Sequence, residues 1–138
     1  MSIRKAEMSD FFKIYAGRFG SFPLSAKWGV RFVLRGSRDF AADLLHFAAR
    51  FDNLPCREIL CRRLAVHEAV LNALRCGGPD PVLTAWGAKK FMQVGIQQKN
   101  DIFWPAETGG HRGTALIKRY ASEYGISDDK KTLVLRFY

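Results

Sequence analysis

The sequence predicts an α+β domain, a two-layer sandwich with helices on one face of a mixed, mostly antiparallel sheet. Two observations carry this. The predicted elements run strand, helix, helix, strand, strand, loop, helix, strand; more than one helix falls between strands and a hairpin sits in the middle, the mark of segregated layers rather than repeated βαβ units. The length of 138 residues holds one core, and 48% hydrophobic with 13% aromatic residues is enough apolar material to offset chain entropy without a staple.

Residues 1–24 read as an arm, with a short helix around Ser9–Ala16 followed by Gly and Pro punctuation, and residues 25–138 as the domain. Trp28–Leu34 is dense in β-branched and aromatic residues and is cut off by Gly36, which predicts a strand. Ser37 is the expected N-cap of a helix through Phe51, because Phe40, Leu44, Leu45, Ala48 and Ala49 recur at helical spacing. Asn53-Leu-Pro-Cys opens the longest helix, with Pro55 in its first turn and Gly77-Gly78 as terminator. Its apolar residues occupy more than one stripe, so it is expected to be largely covered. Val82–Trp86 and Phe91–Ile96 read as a strand pair joined by Gly87-Ala-Lys-Lys, residues 97–112 as a long loop, Thr114–Ser122 as a short helix and Thr132–Phe137 as a closing strand.

Cys56, Cys61 and Cys76 cannot pair completely and form no Cys-x-x-Cys motif, so they read as reduced thiols acting as small hydrophobes. The opening MSIRKAEMSD is charged where a signal peptide needs an apolar run, and no stretch approaches the ~20 apolar residues of a membrane span. A soluble cytoplasmic protein is expected. The formal charge of +9 and pI near 9.8 suit an acidic partner, a polyanion or ATP. Lys and Arg are scattered from Arg4 to Arg136 rather than gathered in an aromatic-lined stripe, which argues against direct nucleic-acid binding.

The chemistry-bearing segment is Leu64-Ala-Val-His-Glu-Ala-Val-Leu-Asn-Ala-Leu-Arg-Cys-Gly-Gly78. Four residues apart, Glu68 and Asn72 stand one turn apart on one helix face and can grip a single ligand. A carboxylate can act as general base, and an amide oxygen is a hard ligand suited to Mg²⁺. A solvated helix face contains such a pair by chance; its place in an otherwise apolar helix is what singles it out. Further on, Gly110-His-Arg-Gly-Thr-Ala-Leu-Ile-Lys-Arg-Tyr120 runs from a Gly-rich loop into a helix. Gly113 permits close backbone approach, and a helix N-terminus presents free N–H groups to phosphate; an ordinary loop capping a helix reads the same way. His46, His67 and His111 have no metal-binding spacing, and His67 reads as a packing or surface residue.

Glu-Ala-Val-Leu-Asn-Ala-Leu-Arg-Cys-Gly77 resembles the N-box of the anti-sigma-factor serine/threonine kinases, a Glu-Ala-x-x-Asn-Ala-x-x-His-Gly pattern in the GHKL superfamily of histidine-kinase-like ATPases. Cys76 stands where that family often has His. The segment 110–120 followed by Lys131–Phe137 is similar to the family's lid, helix and last strand, and the resemblance spans roughly residues 28–137. It implies a Bergerat fold over 25–138. It also implies bound ATP and Mg²⁺, with Glu68 as the base that activates a serine hydroxyl, Asn72 as the magnesium ligand, and Gly110, Arg112, Gly113 and Thr114 at the phosphates. The implied partners are a sigma factor or a STAS-type anti-anti-sigma protein, and the family often dimerises through its sheet.

The family's Asp-x-Gly-x-Gly adenine loop is absent. In Val94-Gly-Ile-Gln-Gln-Lys-Asn-Asp-Ile-Phe-Trp104, Gln98 stands in place of the Asp, with Asn100 and Ile102 in place of the glycines. Gln98 offers an amide oxygen to the adenine amino group, and Asp101 would serve if the loop were shifted. The alternative implied by that departure is a degenerate, nucleotide-free domain acting as a protein-interaction module. Phe103-Trp104-Pro105 reads equally as core or as a partner-facing patch.

Overall fold

The computed structural model describes residues 4–5, 26–102 and 112–138. The helix expected around Ser9–Ala16 and the segment Phe103-Trp104-Pro105 lie outside them, as do Gly110 and His111. In chain order the elements are β1 (Arg4–Lys5), β2 (Trp28–Val33), α1 (Phe40–Ala48), α2 (Cys56–Cys76), β3 (Val82–Gly87), β4 (Met92–Gln97), α3 (Arg112–Tyr120), β5 (Glu123–Ile126) and β6 (Thr132–Phe137). The sheet order is β1-β5-β6-β4-β3-β2. Five strands are antiparallel to their neighbours, and the two residues of β1 pair in parallel with β5. This is the α+β sandwich expected.

Register explains the two layers. Val30 faces Ala85, Ala85 faces Val94 and Val94 faces Leu135, while Phe32, Leu83, Ile96 and Leu133 form the next row. Because side chains alternate along a strand, these rows all point to one face. Their residues join Phe40, Leu44 and Leu45 of α1 and Ala65, Val66, Ala69, Val70 and Ala73 of α2 in one core. The opposite face is also closed at its centre: Trp86, Gln93 and Val134 are buried. Arg136 lies across it, donating to Gln93 Oε1 at 3.0 and 2.6 Å, with its guanidinium 4.7 Å from the Phe91 ring centroid.

Four local differences from the sequence reading have identifiable causes. The N-cap of α1 is Asp39, not Ser37, because the Asp39 carboxylate accepts from the Ala42 amide at 2.9 Å; the helix ends at Ala48 rather than Phe51. Pro55 is the N-cap of α2, one position before its first turn. β5 was not foreseen: Glu-Tyr-Gly-Ile is short and contains a glycine, and it is a strand because β6 supplies a ladder and the Ser127–Lys131 turn sets its register. There the Ser127 hydroxyl and the Lys131 amide both bond Asp129. Finally, the thiols are not core: Cys56 and Cys76 are exposed and Cys61 is half-buried.

Trp28 fastens β2 to the rest. Its ring lies directly over Gly87, the residue opposite it on β3, and its indole N–H donates to Asp52 Oδ2 at 3.0 Å. A Cβ on Gly87 would stand 2.1 Å from the indole nitrogen. Gly87→Ala therefore displaces the indole and is expected to destabilise the fold by about 1–3 kcal/mol, the range for overpacking; chemical denaturation monitored by tryptophan fluorescence measures it.

Acid sensitivity follows from the aspartates. The Asp39 carboxyl is held below its ordinary value of 3.8 by the Ala42 amide, with Arg63 and His67 adding; Asp129 is held down by the Ser127 hydroxyl and then the Lys131 amide. Both pKa values are lowered on folding, so their contribution is complete above the ordinary value and is lost as pH falls through the lower folded values. The melting temperature is expected to fall as pH drops below about 3.8. Asp39→Asn keeps a capping oxygen and shallows that acid slope, whereas Asp39→Ala costs about 1 kcal/mol at neutral pH.

Candidate functional site

α2 is the element that positions the predicted site. Its buried residues Arg62, Ala65, Val66, Ala69, Val70 and Ala73 recur at helical spacing and sit on the inner face of the sheet. α1 packs on one side of it: Arg63 Nη2 lies 3.1 Å from Asp39 Oδ2 at the α1 N-cap, and His67 acts electrostatically on the same carboxylate. Helical residues advance about 100° each, so Glu68 lies about 100° and Asn72 about 140° around the axis from His67. The pair is thus on the flank turned away from α1. α3 packs along α2, and Ile117 and the adjoining Ala121 are fully buried.

Glu68 and Asn72 are each half-buried. Among the described residues neither makes a hydrogen bond or an ion pair, although Arg62, Arg63, Gln98 and Asn100 around the same helix all do. An amide and a carboxylate with no partner among the described residues retain their capacity to bind something else. The helix expected to be largely covered leaves two of its apolar residues, Leu60 and Leu74, exposed.

The loop after β4 is fastened to the C-terminal end of the same helix. Lys99 N and Asn100 N donate to Gly77 O at 3.0 and 3.1 Å, and Asn100 Nδ2 donates to Cys76 O at 3.0 Å. These bonds satisfy carbonyls that the end of a helix leaves open. Gly77 is needed for the close approach: a Cβ there would lie 2.4 Å from Ala73 O and 2.9 Å from Gln98 Cβ. Gln98 donates through Nε2 to Asn100 O at 2.9 Å, which leaves its carbonyl oxygen as the group beside Gly77.

Asp101 is engaged elsewhere. Its carboxylate lies 2.6 Å from Lys131 Nζ, and that hydrogen bond holds its pKa below the usual aspartate value. Lys131 also donates to Lys99 O at 2.9 Å, so the loop is tied to the turn before β6 as well as to α2. Sequence reasoning missed both fastenings. Gly77 was legible only as a helix terminator, and nothing near residue 100 signals a lysine 30 residues further on. Of the lid residues, Arg112, Gly113 and Thr114 begin α3, and Thr114 is half-buried.

The structure therefore places Glu68 and Asn72 on one flank of α2 and Gly77 and Gln98 at its C-terminal end, while Asp101 is turned to Lys131, the residue before β6. Among the described residues no three His, Cys, Asp or Glu side chains gather as a metal cluster, and no helix is long and apolar enough to cross a membrane. Set against known proteins, the chain matches no family model, and no curated protein sequence matches it.

Proposed function

We propose that the protein is a regulatory ATP-binding domain of the anti-sigma serine/threonine kinase type, with a Bergerat fold, which binds a sigma factor or an anti-anti-sigma partner. The observation that carries this reading is the pair Glu68 and Asn72: half-buried, on the flank of α2 away from α1, and without a partner among the described residues. The donor set fits the ligand. One amide oxygen is a sufficient protein contribution to Mg²⁺, which keeps waters and nucleotide phosphates as its other ligands. Gln98, whose Nε2 donates to Asn100 O, offers its carbonyl oxygen as an acceptor for an adenine amino group.

ATP, bound with Mg²⁺, would supply the phosphoryl group for transfer, with ADP leaving. Asn72 would hold the metal, and Glu68 would take the proton from an incoming serine hydroxyl. The backbone N–H groups at the start of α3, at Arg112, Gly113 and Thr114, offer donors to phosphate oxygens. Holding the groups in line contributes most in such reactions, which involve little covalent chemistry by the protein.

A second reading has its own support. The loop bearing Gln98, Asn100 and Asp101 spends much of its polar capacity on itself, on α2 and on Lys131, as expected of a nucleotide-free interaction module whose adenine loop has become a structural clasp. Titration with labelled ATP and Mg²⁺ separates the two. Saturable binding that weakens roughly tenfold or more in Asn72→Ala supports the first reading. In that case Glu68→Gln is expected to leave binding in place and slow transfer to a serine substrate by about 10²–10⁴-fold. Absence of saturable ATP binding by the folded wild-type protein, at any Mg²⁺ level, would establish the second reading instead.

A further inference from the structure

At the other end of α2 lies a concavity of about 430 Å³, bounded by the connection between α1 and α2, the β3–β4 turn and Tyr138. Glu58 and Arg62 line it. They precede Asn72 by 14 and 10 positions and Glu68 by 10 and 6, so along the helix axis they lie roughly 15–21 Å from Asn72 and roughly 9–15 Å from Glu68. Its volume lies within the range of small-molecule sites, about 300–1,000 Å³.

The charges around it do not cancel. Two carboxylates line it, and both are satisfied from within the protein. Asp52 accepts from the Trp28 indole at 3.0 Å, and Glu58 accepts from Arg62 Nε at 3.1 Å. Arg62, 5% exposed, also donates to Tyr138 O at 3.1 Å and lies over the Phe137 ring. Three further cations on the wall, Lys27, Lys89 and Lys90, are exposed and have no hydrogen-bond or ion-pair partner among the described residues. Among side chains, four cations thus meet two carboxylates, and the accessible positive charge is that of the three ammonium groups.

The backbone that carries these lysines is held in place. Lys27 N donates to Gly87 O at 2.7 Å and Ala88 N donates to Phe91 O at 2.8 Å, so the entry to β2 and the hairpin turn are fixed to each other. Trp28, packed on Gly87 and bonded to Asp52, joins both to the α1–α2 connection. The positive end of the α2 dipole is near the same cavity, and its N-cap Pro55 supplies no side-chain hydrogen bond to the first turn. That adds to a field already set by the lysines.

We propose that this cavity is a second binding site, for a small molecule bearing a di- or triphosphate chain. Ammonium groups are compact point charges that pair with phosphate oxygens, and three around one concavity match several charges close together better than a single carboxylate. Phe91 and Leu54 in the wall give an apolar surface for whatever the phosphates are attached to.

The test is titration of the whole protein with pyrophosphate and with ADP, read by calorimetry and by amide chemical shifts, in an Asn72→Ala background that weakens the α2–α3 site. The expected result is saturable binding of both, with the largest shifts at Lys27 and at residues 88–91. Affinity for each should fall roughly tenfold in Lys27→Gln/Lys89→Gln/Lys90→Gln and stay within a factor of about two in the charge-matched Arg75→Gln/Lys99→Gln/Lys130→Gln. Tighter binding of ADP than of pyrophosphate identifies a nucleotide whose base rests on Phe91 and Leu54, and equal affinity identifies the phosphate chain alone; either supports the site. Equal loss in the two triple variants overturns it in favour of attraction by the overall charge. Shifts centred on residues 68–78, or no saturable binding of either probe, also overturn it.

Discussion

The constraint on which the architecture depends is the fit of one long helix against the sheet through a stripe of small residues. Ala65, Val66, Ala69, Val70 and Ala73 are all buried on the inner face of α2. Short side chains there let the helix axis lie close to the strands, and larger rows from β3, β4 and β6 fill the space beside it. Interiors packed at crystal-like density leave no slack for a shift of such a helix. Everything else of interest is mounted on it: α1 and α3 packed along it, the β4 loop at its C-terminal end and the basic cavity near its N-terminal end.

A rigid helix with both flanks occupied also sorts its polar residues. On the α1 side, Arg63 and His67 are used to hold the Asp39 cap. At the buried end, Arg62 is neutralised by Glu58 and held by Tyr138 O, as a buried charge must be to avoid a desolvation penalty of several kcal/mol. Glu68 and Asn72 stand apart because the packing covers them without giving them a described partner. That contrast within one helix is a stronger pointer to ligand chemistry than the four-residue spacing alone, which many solvated helices share.

The loop at 98–101 illustrates how a binding element and a structural clasp can share residues. Its amides and the Asn100 side chain close the end of α2, and Lys131 anchors it from β6. A glycine-rich loop in that position would need such ties less, because it approaches the helix end without side chains. With Gln98, Asn100 and Ile102 there instead, the polar groups are drawn into local hydrogen bonds, and Gly77 and Gly78 supply the room for the approach of Gln98 and Asn100.

The α+β class, the long helix ending at Gly77, the central hairpin and the closing strand Thr132–Phe137 were legible in the sequence, because each depends on local periodicity and on turn residues. So was the projection of Glu68 and Asn72 together, which follows from helical spacing alone. The Asp39 cap, the strand Glu123–Ile126 and the engagement of Asp101 by Lys131 were not, since each is decided by a partner the local pattern does not name. The same holds for the basic cavity: Lys27, Lys89, Lys90 and Arg62 are scattered along the chain and meet only when β2, the hairpin and α2 are assembled. Sequence alone determined which residues share a helix face or a strand face, because that is set by backbone geometry; tertiary structure decided which polar groups were neutralised and which were left available, because that depends on contacts between segments far apart in the chain.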